Sequence, residues 1–336
     1  MLKDTDKNAI AAKDKAIDRR ISVAPMMGWT DRHDRYFLRQ IAPNTLLYTV
    51  MLTTGALIHG DDRAKMLRFN EAEHPLALQL GGSDPTDLGV CAKYGADFHY
   101  DEINLNCGCP SDRVQNGNFG ACLMKDAPLV ANCIDAMKQK VDIPVTIKCR
   151  IGVDEFEGYD FLTDFIGQSA DKGCDTFIIH ARKAWLQGLS PKDNRTIPPL
   201  DYDIVYRLKR DFPQLNIILN GGLKTIEQIS QALEHTDGVM IGREAYQNPY
   251  MLSELERLIL KTPDLPSRHQ VLDNMMPYIQ TELESGVALK DITRHMLGLF
   301  QGIRGARKWR QILSENAYKT NAKSDLLRIA VKSISV

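Results

Sequence analysis

No apolar run in these 336 residues approaches the roughly 20 that a membrane helix needs, and the first twenty residues mix Lys with Asp where a secretion signal would be apolar. Neither a spanning segment nor a signal peptide is expected, and the reading is a cytoplasmic protein. Cysteine is sparse and odd in number: seven residues scattered over the chain argue against a disulfide framework and for a reducing compartment. The Cys107-Gly108-Cys109 triplet has no second Cys or His pair at ligand spacing, so no metal site is expected. The chain also lacks a G-x-G-x-x-G fingerprint, a low-complexity tract, and any internal repeat beyond a β/α alternation.

Net charge is nearly absent as well, with 42 Lys and Arg against 43 Asp and Glu. The balance is uneven, however. Residues 261–336 hold 12 basic and 7 acidic side chains, a net of +5, which leaves −6 for residues 1–260. A basic module on a mildly acidic body suggests a polyanionic partner, the plain alternative being a solvated helical surface. What the chain does have is core-forming material, 43% hydrophobic residues beside 25% charged ones, in a length that suits about two domains.

Eight β-rich runs recur through the first 250 residues, each followed by a helical pattern: 21–26, 46–52, 76–80, 102–106, 145–149, 176–180, 217–220 and 238–241. Near-continuous apolar strands alternating with amphipathic helices read as parallel strands buried on both faces, and eight units fit an α/β (β/α)8 TIM barrel, with a doubly wound sheet as runner-up. Caps mark helices at 84–94 and 127–140. The strand-to-helix connections 107–125 and 183–199 are long, which in compact domains goes with function. Two prolines make 261–267 a linker, and helical patterns at 271–284, 289–300, 304–318 and 325–332 form a C-terminal all-α bundle. The expected division is a tail (1–19), a barrel (20–260) and a helical domain (261–336).

Barrels carry their chemistry at the C-terminal ends of strands, and here those ends are polar. Strand one offers Pro25, Met26 and Met27; strand three Gln79; strand four Asn104 and Asn106; strand five Lys148 and Arg150; strand six His180 and Arg182. Strand seven gives Asn220-Gly221-Gly222 and strand eight Gly242-Arg243, two glycine clusters of the kind that cradle a phosphate, although glycine also serves turns that bind nothing. Singly, Lys148 reads as an ion-paired lysine and His180 as a core histidine. Together with Gln79 at one barrel mouth they suit a flavin ring, whose reduced form a cation stabilises; a Schiff-base role for Lys148 stays open. Cysteine ordinarily keeps its proton at neutral pH, so Cys109 is a candidate proton donor. Cys91, Cys133 and Cys174 read as buried apolar residues, with Cys122 and Cys149 ambiguous.

Ala24-Pro25-Met26 with Thr30-Asp31, Asn106-x-Gly108-Cys109-Pro110, Lys148, His180-x-Arg182 and Asn220-Gly221-Gly222 together resemble the tRNA-dihydrouridine synthases, over essentially the whole chain after residue 20. The segments 180–185, 189–192, 194–195, 198–202 and 292–301 resemble its bacterial A subfamily, which modifies uridines 20 and 20a of the D-loop. The resemblance implies an FMN barrel with a helical tRNA-binding domain and NADPH-dependent reduction of the uridine C5=C6 bond. It makes Cys109 the general acid. Pro25, Met26, Met27, Gln79, Lys148, His180, Asn220, Gly221, Gly222, Gly242 and Arg243 would hold FMN. Asn106, Arg182, Lys192, Arg195, Arg307 and Arg310 would face tRNA. NADPH, lacking a Rossmann unit, would visit transiently, and no protein partner is implied. Cys107 puts a second thiol beside the acid. Without the resemblance, a flavin barrel acting on a free pyrimidine and a non-catalytic RNA-binding protein are the rival readings.

Overall fold

A computed structural model describes residues 17–334 apart from 112, 113, 115 and 116. Its nine strands are β1 (Ile21–Val23), β2 (Leu47–Tyr48), β3 (Leu52–Thr53), β4 (Leu76–Gly81), β5 (Glu102–Cys107), β6 (Val145–Arg150), β7 (Thr176–His180), β8 (Asn216–Asn220) and β9 (Gly238–Ile241). All pair in parallel, in the order β1-β9-β8-β7-β6-β5-β4-β2, with β3 also on β4. The ends meet: Val23 N–H donates to Leu46 O (3.0 Å) and Leu46 N–H to Ile21 O (3.2 Å). That closure selects the barrel over the doubly wound sheet.

The second expected strand is interrupted. Gln79 N–H donates to the Thr49 hydroxyl (3.0 Å), so a side chain fills a ladder position and the run divides into β2 and β3. Helices fill the crossovers: α1 (Arg32–Ile41), α2 (Pro85–Asp97), α3 (Ala127–Lys138), α4 (Tyr159–Asp171), α5 (Tyr202–Asp211), α6 (Ile226–Leu233) and the short α7 (Arg243–Gln247). Asp84 and Asp126 accept N–H bonds as N-caps of α2 and α3, each with proline in the first turn, and Thr225 with Gln228 forms a capping box on α6.

Period-two alternation sorts the side chains. On β5, Ile103, Leu105 and Cys107 enter the large core between strands and helices, while Glu102, Asn104 and Asn106 take the opposite, interior face. An apolar interior cluster of Leu46, Tyr48, Ala77, Ile178, Ile218 and Met240 fills the rest of the barrel.

After the connection that ends at Ser267 come α8 (Arg268–Glu284), α9 (Leu289–Thr293), a 3-10 turn (Arg294–Gly298), α10 (Ala306–Asn316) and α11 (Asp325–Val331). Their core centres on Trp309, fully buried, edge-on to Phe300 at 5.0 Å and donating to Met296 O (3.2 Å). They are fastened to α1. Tyr278 stacks on Tyr36 (3.9 Å) and meets His33 Nδ1 (2.7 Å), Arg32 donates to Glu282 (2.6 Å), and the α1 cap Asp31 accepts from Arg294 (2.5 Å). Burial disfavours charge on Asp31, but His295 and the Asp34 N–H outweigh it and hold the carboxyl well below the usual range.

Two helical expectations change here. The run 289–300 is α-helical only to Thr293 and continues as a 3-10 turn to Gly298, which lies so close to Gln247 that a Cβ would stand 2.6 Å from its carbonyl oxygen. Arg304 lies outside α10, which starts after Gly305 at φ +94°, a turn packed against the Ser333 carbonyl. Arg304 therefore does not share a helical face with Arg307 and Lys308. Of the expected tail, Ile17 packs on the interior cluster and Arg19 pairs with Glu102.

Candidate active site

The Asn106-to-Cys109 turn leaves β5 at the barrel mouth, and its geometry is over-determined. Asn106 Oδ1 accepts from both Gly108 N–H and Cys109 N–H, each at 3.0 Å. Arg150, buried at the end of β6, donates from Nε to Gly108 O (2.9 Å) and from Nη1 to Asn194 O (2.9 Å) and Lys183 O (3.1 Å). The peptide joining Gly108 to Cys109 is thus held at its N–H by one side chain and at its C=O by another. Cys109 itself is half-buried, with Sγ 3.5 Å from Ser111 Oγ.

Cys107 is a different kind of residue. As an outward-facing strand position opposite Cys149 it is fully buried, and burial pushes its thiol well above the ordinary range, as it pushes Cys149 up to about 12. The second thiol of the motif is part of the barrel–helix core and not a companion of Cys109.

Across the mouth, Lys148 Nζ donates to Asn220 Oδ1 (2.9 Å), and Asn220 Nδ2 to Met240 O (2.7 Å). Burial, then repulsion from Arg150, lowers the Lys148 ammonium to about 8. Burial with Arg150 and Lys148 keeps His180 well below its usual value, so its imidazole is neutral at pH 7. Among the described residues, Lys148, Arg150, Arg182, Arg195 and Arg243 have no carboxylate within ion-pair distance. Arg182 donates to Pro198 O while its Nε is buried without a partner. Five cations without anions make the mouth strongly electropositive.

The glycine turn after β8 is close-packed. Gly221 has φ +113°, and a Cβ there would stand 2.5 Å from His180; Gly222 has φ +72°, with Leu200 equally tight at 2.4 Å. Tyr202 OH fixes the turn by donating to Gly221 O (2.6 Å). Beside it, Gly242 is the N-cap of α7, and Arg243 reaches Arg195 O (3.3 Å). Pro25 and Met26 are half-buried in a turn closed by Met26 N–H to Thr30 Oγ1 (2.9 Å). Met27 is 68% exposed, the outlier of that trio.

Lys192 and Arg195 lie exposed on the loop after β7, ordered by buried Asn194, whose side chain clasps Trp185 N–H (2.7 Å) and Trp185 O (2.8 Å). Arg307 is exposed on α10, and Arg310 donates to Gln301 Oε1 (3.0 Å). These two belong to the C-terminal helices, outside the cluster at the mouth. Sequence reasoning gave no role to Arg150, Asn194 or Tyr202, nor to Glu102 and Thr146 below them. The alternation Glu102-Ile-Asn104-Leu-Asn106 on a buried strand is the signal of a polar barrel interior. A groove of about 810 Å³ on the flank, between segments 224–227, 248–257 and 262–268, takes none of the candidate residues. Among the described residues no group of three or more His, Cys, Asp or Glu could hold a metal ion, and no helix is long and apolar enough to cross a membrane.

The sequence model described as Dihydrouridine synthase (Dus) matches residues 22–335. The chain belongs to the dihydrouridine synthase family. A tRNA-dihydrouridine(20/20a) synthase of Shewanella oneidensis is 60% identical over 321 residues, which cover 95% of each chain. Counterparts of the same name from Vibrio cholerae and Escherichia coli K12 are each 59% identical over 318 residues, covering 94% of this synthase and 96% and 92% of theirs. Two solved structures resemble this chain in fold. The 2-naphthoyl-CoA reductase complex superposes with a TM-score of 0.56 at 11% identity, over 74% of this chain and 52% of its own. Morphinone reductase with tetrahydroNAD gives 0.52 at 13%, over 77% and 92%.

Proposed function

We propose that this family member reduces the C5=C6 bond of uridines 20 and 20a in the tRNA D-loop, with FMN as bound cofactor, NADPH as transient reductant and Cys109 as proton donor. The observation that carries the reading is the held thiol: Cys109 stands half-exposed at a mouth of unpaired cations, on a peptide anchored from two sides. The full-length relatives named for that reaction support the substrate and the positions.

The residues fit a phosphorylated flavin. Lys148 and Arg243 are cations without anions, and Gly242 beside Arg243 opens onto the mouth, where a Cβ would meet nothing nearer than Ala24 Cβ at 4.0 Å. Asn220 to Gly222, Gly242 and Arg243 would hold the phosphate; Pro25, Met26, Met27, Gln79, Lys148 and His180 would surround the ring. When bound, FMN supplies a hydride, obtained from NADPH, to C6 of the uracil.

The protein's own part is proton placement and binding. Negative charge develops at C5 and O4 as C6 is reduced, and Cys109 delivers the proton that C5 requires. Lys148 offers positive charge to an anionic ring, while neutral His180 contributes a hydrogen bond without adding to the repulsion there. A D-loop uridine is stacked or paired, and extruding it costs a few kcal/mol. Arg182, Lys192 and Arg195 at the mouth and Arg307 and Arg310 on the C-terminal helices offset that cost through phosphate contacts. We assign residues 261–336 to tRNA binding and 20–260 to the catalytic barrel.

The test is nucleoside mapping of tRNA from a strain lacking the gene, with and without its return. Dihydrouridine lost at 20 and 20a and restored by the gene is the expected result. Retention at both positions overturns the reading.

A further inference from the structure

A continuous line of buried polar side chains crosses the barrel interior beneath Cys109. Glu102, Asn104 and Asn106 are alternate residues of β5; Gln79 of β4 and Thr146 of β6 are the register partners of Asn104 on either side. At the foot, fully buried Glu102 accepts from Arg19 Nη2 at Oε2 (2.6 Å), and from Tyr48 OH (2.8 Å) and Thr146 Oγ1 (2.7 Å) at Oε1. Thr146 Oγ1 accepts from Asn104 Nδ2 (2.8 Å), Asn104 Oδ1 from Gln79 Nε2 (2.8 Å), and Gln79 Oε1 from Asn106 Nδ2 (2.9 Å). At the top, Asn106 Oδ1 receives the Gly108 and Cys109 N–H groups.

Every bond in the line donates downward, and the two ends enforce this. The loop N–H groups can be met by an oxygen and not by an NH2; the carboxylate can accept and cannot donate. The Thr146 hydroxyl must therefore turn its hydrogen to Glu102 and a lone pair to Asn104. Each of the three amides between, which could rotate by half a turn at little steric cost, is left with one orientation. If the line is cut at Thr146, Asn104 Nδ2 loses its acceptor and the loop N–H groups alone orient Asn106, Gln79 and Asn104, so the amides are held from one end where they were held from two. A reversed Asn106 would present NH2 to two N–H groups and expel the Gly108–Cys109 peptide.

We propose that this Glu102–Thr146–Asn104–Gln79–Asn106 line is the positioning device of the proton donor, with Thr146 and Glu102 acting at a distance through the amide of Asn106. The inference rests on the reading of Cys109 as that donor. It also recasts Asn106, whose carbonyl and one N–H are committed to the loop and the line, as a residue that organises the site.

The test compares Thr146→Val, Thr146→Ser, Tyr48→Phe and Cys109→Ala in the full chain. Two readouts are used: turnover on tRNA, and the rate at which iodoacetamide alkylates Cys109 in protein stripped of flavin, followed by peptide mapping. Thr146→Val keeps the shape and cuts the line. Its kcat should fall on the order of ten- to a hundredfold with KM for tRNA unchanged, as expected for a slightly misplaced reacting group. Its Cys109 should alkylate severalfold faster, and Thr146→Ser should restore both. Tyr48→Phe removes a buried hydroxyl from the same Glu102 oxygen but off the path to Asn106, so it should lower stability and move neither readout. Should Thr146→Val not fold, Thr146→Ala is judged by the same two readouts. Wild-type kcat and alkylation in the cut variant, no recovery with Ser, or an equal response from Tyr48→Phe would overturn the proposal. An impaired Cys109→Ala beside a normal Thr146→Val overturns the line alone; a fully active Cys109→Ala overturns the donor reading as well.

Discussion

Arg150→Met removes a guanidinium that is 2% exposed and satisfies three carbonyls at 2.9, 2.9 and 3.1 Å. Of those, Asn194 O is in a buried setting, and leaving it without a donor costs about 1–3 kcal/mol. Gly108 and Lys183 are half-buried, where water replaces the missing donor at small cost. Against this stands a gain. Burial first, with repulsion from Arg195 and Arg182, lowers the Arg150 pKa to about 10 although Cys109 nearby favours the charge, so the charged form is disfavoured in the fold at neutral pH and Met removes that cost. The two effects nearly offset, and the net expectation is a loss of at most about 1 kcal/mol in urea unfolding, read as a slightly lower midpoint at constant slope. Turnover should fall further than stability explains, on the order of tenfold or more, because the Gly108–Cys109 peptide keeps one anchor of two. Arg150→Lys retains the charge as a point donor that cannot reach three diverging carbonyls, so activity should recover less than stability. Unchanged unfolding together with wild-type turnover in Arg150→Met would refute the clamp.

Cys109→Ala should leave flavin bound and reducible by NADPH while dihydrouridine formation falls by the ~10²–10⁴-fold of a missing general acid, measured by single-turnover assay on tRNA. Cys107→Ala should leave turnover intact and lower the thermal midpoint, since that thiol fills the barrel–helix core. Lys148 has a folded pKa of about 8 below its unfolded 10.5, so in the free protein its charge is complete below that value and lost above it. FMN affinity measured by fluorescence quenching should weaken as pH rises through about 8, and Lys148→Met should be weak and flat over the same range; a flat wild-type profile would remove Lys148 from the site. Arg307→Ala with Arg310→Ala should weaken tRNA binding and lower its salt slope by roughly 0.7–0.9 for each phosphate the protein ceases to neutralise, with NADPH oxidation in the absence of tRNA unchanged.

The strand runs, the caps Asp84 and Asp126, and the polar strand ends were legible in the sequence because each rests on spacing of two or on neighbours within four residues. So was the family, from Asn106-x-Gly108-Cys109-Pro110 and its companions. Local pattern also placed Lys148, His180 and Asn220 at one mouth, since parallel strands must end on the same side. It misjudged Arg304, because the break at Gly305 is imposed by Ser333, far along the chain.

Which thiol faces the site depends on where the strand ends: Cys107 is the last residue of β5 and packs into the barrel–helix core, whereas Cys109, of the same parity, lies past the strand in a turn that Asn106 and Arg150 hold at the mouth. The double hold on the Gly108–Cys109 peptide joins β5 to β6 and to the loop after β7. The polar line from Glu102 to Asn106 needs β4, β5 and β6 in register. No spacing along the chain encodes such meetings. Sequence determines which residues face inward by their period. Tertiary structure decides which inward residues meet, because that depends on strand order and stagger, which arise only when the sheet closes and its long-range hydrogen bonds form.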